Sequence, residues 1–152
     1  ADFVQLMLKT VKLWAGVGGK KEMRIWNRLK EHMKELQMAE QARNINTKFV
    51  LTGHSLGGTI AEIVAAKLGI QALVWSAPGT RYSQAYFSGN DTGSVSEERM
   101  QRDTVVVVPD NDAVPRVDSQ QSVVQRIQCF RKFHMPVNYF TGTAECHKIQ
   151  KS

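Results

Sequence analysis

Ser55 stands inside Leu51-Thr52-Gly53-His54-Ser55-Leu56-Gly57-Gly58, a Gly-x-Ser-x-Gly arrangement. That spacing suits a serine held on a sharp turn, with small neighbours where backbone segments approach closely. Gly53 and Gly57 occupy those places. A serine hydroxyl is a weak nucleophile unless a histidine removes its proton and a carboxylate fixes the histidine tautomer. The acid is expected after the serine, and the base after the acid. "VVVVPDNDAVPRVD" offers Asp110, Asp112 and Asp118 for the acid, and His134 and His147 follow them. His32 precedes the serine and His54 adjoins it, so neither fits the order. The backbone N–H of Leu56 would be one donor to a developing oxyanion, because it opens a helix whose first N–H groups lack internal partners. The same octapeptide has a plainer reading, a glycine-rich turn whose serine caps the helix.

The elements around these residues decide whether they can meet. Phe3, Met7, Val11 and Trp14 recur at helical spacing, and Ala15 to Gly19 stops that segment. Ile25, Leu29, Met33 and Leu36 predict a second, longer helix from Lys20 to about Ala42 with an exposed charged face. Residues 48–52 read as a short strand, 57–68 as a helix closed by Gly69, and 70–76 as another strand. A short helix is expected over 81–87 and a polar exposed excursion over 88–102. "TVVVVP" at 104–109 reads as a strand buried on both faces. Alternation of strands with helices predicts an α/β fold, a mostly parallel sheet flanked by helices, in a single domain spanning 1–152.

The bulk properties narrow the function. At 152 residues, 42% hydrophobic and 22% charged, the chain suits a globular domain rather than a disordered or fibrous one. No apolar run approaches the roughly 20 residues of a membrane-spanning helix. The net charge of +6 allows transient contact with an anionic membrane surface. Its basic residues are scattered and not interleaved with aromatics, which argues against nucleic acid as a partner. Cys129 and Cys146 are either a disulfide or two reduced thiols, too few for a four-ligand zinc site. The pair, with the glycosylation acceptor pattern Asn90-Asp91-Thr92, leans toward a secretory, vacuolar or extracellular compartment. A disulfide between the two would anchor the segment that carries His147.

With the serine turn, the acid loop and a late histidine in view, the chain resembles the class 3 lipases, a branch of the α/β-hydrolases. The likeness runs from about Lys20 to His147, through "VLTGHSLGG", "SAPGTR" and "NDAVPRVD". In the family's Asp-x-Val-Pro loop the acid stands two residues before the Val-Pro pair, which implies Asp112. The Cys146-His147 step is similar to a sub-branch acting on membrane lipids in vacuolar autophagy. The resemblance implies a lipid or ester substrate, hydrolysed through Ser55, Asp112 and His147, with His134 the rival base and no metal or cofactor. The family carries more sequence before its nucleophile, so the chain is expected to be short at its N-terminus, as a fragment or a reduced version. A second oxyanion donor belongs to that part. Its loss would make the chain a catalytically impaired lipid- or protein-binding module, the alternative to an esterase.

Overall fold

A computed structural model describes residues 25–83 and 95–129. The chain divides into two compact units, 1–49 and 50–152.

In the first unit, helix α1 spans Ile25–Ala42. Glu31–Lys34, His32–Glu35 and Glu40–Arg43 lie within ion-pair distance one turn apart on its outer face. Such exposed pairs contribute a few tenths of a kcal/mol each. Trp26 and Met33 are buried, whereas Leu36, an expected core position, is 38% exposed. The buried stripe therefore runs through positions seven apart and fades before the helix ends. Asn44, at φ 58°, turns the chain out of the helix, and Thr47 Oγ1 donates to Glu40 at 2.7 Å behind it. The helix expected over 3–14 and the start expected at Lys20 lie outside the described residues.

The second unit is the α/β fold expected from the sequence. Strands β1 (Val50–His54), β2 (Gln71–Trp75), β3 (Thr104–Pro109) and β4 (Val123–Ile127) form one sheet in that order. All three pairings are parallel. Helix α2 (Leu56–Leu68) crosses from β1 to β2 and ends at Gly69 in the left-handed conformation. Ala61 and Ala65 pack it against Ala72, Val74, Ala77, Val106 and Val108. Small side chains on the helix allow a close approach to the branched side chains of the strands.

Three expectations need correction. The excursion expected over 88–102 is in part ordered. Helix α3 spans Glu97–Asp103, Ser96 accepts from Arg99 N as its cap, and Val95 and Met100 are buried. With one apolar residue in seven, α3 carries no periodic signal. β3 is fully buried on one face only, since Val105 and Val107 are half-buried. Strand β4 was not anticipated; all five residues are exposed, as suits an edge strand. Residues 81–83 of the helix expected at 81–87 form a turn, and 84–87 are not described. The expected cysteine pairing falls partly outside, because Cys146 is not among the described residues.

Within α2, Glu62 is 1% exposed. Ser122 Oγ is hydrogen-bonded to Glu62 Oε1, and Thr104 Oγ1 lies 2.6 Å from both Ser122 Oγ and Met100 O. With Glu62 ionised, two hydroxyl protons must serve three contacts. With Glu62 protonated, every contact has its own proton, which fits the other oxygen, Oε2, being buried without a hydrogen-bond partner among the described residues. Burial pushes the carboxyl from its ordinary value of 4.5 up to about 7, against the lowering effect of Ser122.

The folded state therefore binds the proton more tightly than the unfolded chain. Stability from this group is complete below pH 4.5 and is lost as pH rises to about 7. Denaturant unfolding across this range should show a fall approaching about 3 kcal/mol. Glu62→Gln should flatten that slope and be the more stable protein above pH 7.

Candidate active site

The C-terminal edge of a parallel sheet is where ligands meet loops and helix N-termini. Here three successive strands leave that edge through non-glycine residues at positive φ: Ser55 after β1 (54°), Ser76 after β2 (52°) and Asn111 after β3 (64°). Asparagine tolerates this region, while serine is strained in it, and such strain gathers at functional sites.

The turn at Ser55 is forced by a close approach. A Cβ added to Gly53 would stand 2.5 Å from Gly57 O and 2.7 Å from Gly58 N. A Cβ on Gly58 would meet Ala77 Cβ at 2.9 Å and Val74 Cβ at 3.3 Å. Gly57 is different: an added Cβ meets nothing within 4 Å among the described residues. The sequence pattern assigned the tight places to Gly53 and Gly57, but the side-chain space is denied at Gly53 and Gly58. Gly57 takes part through its backbone.

Ser55 N donates to Trp75 O at 3.0 Å, tying the turn to the neighbouring strand. Ser55 O accepts from Gly58 N and Thr59 N, starting α2. Its side chain makes no capping hydrogen bond to the helix. The plainer reading of the octapeptide, a capping serine, therefore does not describe this turn. Leu56 is the first residue of α2, where helix geometry leaves the N–H without an intrahelical acceptor.

The three aspartates separate by environment. Asp112 is fully buried, its N donates to Pro109 O, and its Oδ1 accepts from Val114 N at 3.0 Å. Asp118 instead acts as a clamp: Oδ1 accepts from Tyr82 N and Ser119 N, Oδ2 from Ser83 N and Ser83 Oγ. Asp110 is half-buried and pairs through its backbone N with Ile127 O. Ser55 and Asp112 thus follow β1 and β3 at the same sheet edge, and those strands are two spacings, about 10 Å, apart. His134 and His147 lie outside the described residues.

The loops after β2 and β3 are laced together. Thr80 N and Arg81 N donate to Ser119 O, Thr80 Oγ1 to Gln121 Oε1, and Gln120 Nε2 to both Ala77 O and Pro115 O. Sequence reasoning missed Ser76, Gln120 and the clamp made by Asp118. Only the Ser76-Ala77-Pro78-Gly79 turn residues hinted at a constrained segment there.

The profile of the family described as Lipase (class 3) matches residues 3–122. Among solved structures, the chain is similar to an α/β-hydrolase enzyme from the metagenome of sediments of the Mar Chica lagoon, Morocco. Identity is 15% and the TM-score 0.40, covering 68% of this chain and 59% of that one. The chain thus spans less than two thirds of that enzyme's length. No match was found among curated proteins.

The crowding at the turn has a simple mutational signature. Gly53→Ala and Gly58→Ala should each destabilise the protein by about 1–3 kcal/mol, as overpacking does. Gly57→Ala, at an open helical position, should be neutral or stabilising by up to about 1 kcal/mol. Chemical denaturation of the three variants checks the ranking.

Proposed function

The chain belongs to the class 3 lipase family, and on that premise we propose that it is a serine esterase acting on carboxylic esters of acylglycerols or phospholipids. One observation carries most of the reading. Ser55 sits on a strained turn at the start of α2, and its hydroxyl is not used to cap that helix.

In this reading His147 takes the Ser55 proton as Oγ attacks the ester carbonyl. The tetrahedral oxyanion forms beside the N-terminus of α2, where the Leu56 N–H and the helix dipole favour negative charge. The alcohol departs with the proton held by His147, leaving an acyl group on Ser55. Water, deprotonated by His147, then releases the carboxylic acid and restores the serine.

Asp112 orients His147. Its burial and position beyond β3 support that role over Asp118, whose oxygens are occupied by the loop it clamps. His134 is the competing base. Cys129 pairs with Cys146 in this reading, tying the segment next to His147 to the end of β4. Contact with the lipid surface is transient and draws on the net charge of +6.

Hydrolysis of a short-chain p-nitrophenyl ester tests the assignment. Ser55→Ala should lower kcat by about 10⁵-fold or more. Asp112→Asn should lower it by about 10⁴-fold through the wrong histidine tautomer. His147→Ala should match Ser55→Ala; full activity in it with loss in His134→Ala would move the base to His134. Wild-type protein that binds lipid without turnover would favour the binding module.

A further inference from the structure

A cleft of about 410 Å³ opens beside the acid loop, on the β4 side of the sheet edge. Val108, Val124, Arg116 and Arg126 are among the residues that line it. Register places Val124 opposite Val106 and Arg126 opposite Val108, so both point to the face covered by α2. Arg116 follows Pro115 in the short 3-10 turn Val114–Arg116 just beyond Asp112.

Both arginines are exposed, and neither has an ion-pair partner among the described residues. By contrast Arg81, in the loop after β2, lies 3.5 Å from Glu97. Asp118 also lines the cleft. Its two oxygens already accept four hydrogen bonds from Tyr82, Ser83 and Ser119, and do not neutralise the arginines by contact. Two arginines without an ion-pair partner among the described residues, in a cleft also lined by Val108, Val117 and Val124, suit a phosphate carried on an apolar body, since guanidinium donors match phosphate oxygens.

We propose that Arg116 and Arg126 form a phosphodiester subsite, which receives the head-group phosphate of a phospholipid. The cleft lies two to three strand spacings from β1, about 10–14 Å along the same edge as Ser55. On the esterase reading, a lipid held there by its head group would present an acyl ester towards Ser55. What the bound lipid is for rests on the esterase reading; that the cleft selects phosphate does not.

The test is therefore binding, with Ser55→Ala protein so that lipid is not consumed. Two vesicle types, neither with net charge, are compared: phosphatidylcholine, and phosphate-free digalactosyldiacylglycerol. The expected result is at least a tenfold preference for phosphatidylcholine. Arg116→Gln and Arg126→Gln should each reduce it to twofold or less, while Arg99→Gln, an exposed arginine away from the cleft, should retain it. Equal binding to both vesicles would overturn the proposal, as would equal loss in all three variants, which would mean diffuse charge. Inorganic phosphate, compared with sodium chloride at equal ionic strength, separates the sources. Displacement at micromolar phosphate would assign the cleft to the free ion and overturn the head-group assignment. Retained binding there supports it. Failure of ester hydrolysis, measured separately in wild-type protein, would leave a vesicle preference standing as a binding function.

Discussion

The closeness of the first turn of α2 to β1 controls the rest of the site. With Gly57 O only 2.5 Å from where a Gly53 Cβ would be, the chain must reverse from strand to helix within one residue. That residue is Ser55, and its φ of 54° is the cost of the reversal. The strain persists because the surroundings over-determine it. Trp75 O takes the Ser55 N–H, Ala77 and Val74 leave no room for a side chain at Gly58, and two N–H groups of α2 bond to Ser55 O. The same geometry spares the serine side chain from capping and leaves it beside the positive end of a helix.

A serine fixed after one strand could act as a nucleophile only if the groups around it are fixed relative to it. The parallel register does the first part, aligning His54, Trp75 and Val107 across three strands. The loops beyond them do the second. Asp118 and Ser119 hold residues 80–83, and Gln120 bridges Ala77 O and Pro115 O on either side of the edge. Asp112 is thus buried in a loop that cannot shift independently of the turn after β2. The buried carboxyl of Glu62 makes a comparable join at the opposite end of the sheet, linking α2 to Thr104 at the start of β3 and to Ser122 before β4.

Much of this was readable in the chain, and the misses share a cause. The β1–α2–β2 run, the strand at 104–109 and the serine turn were legible because their apolar residues and glycines are local signals. So was the α/β class, which follows from alternation alone. Helix α3 and strand β4 were not, because Met100 is the one buried residue of α3, and β4 has no buried face. Choosing among Asp110, Asp112 and Asp118 needed a resemblance, since all three stand in one polar loop; burial and hydrogen bonding tell them apart. Gly57 and Gly58 show the limit of a motif. The pattern marks the first, while the packing forbids a side chain at the second.

The central claim, that Ser55 is the activated nucleophile of an assembled site, is tested most directly by covalent labelling. Wild-type protein treated with a fluorophosphonate should gain one adduct, mapped by peptide mass spectrometry to Ser55, and unfolding beforehand should abolish it. No adduct, or one on another residue while Ser55 stays unmodified, would contradict the account.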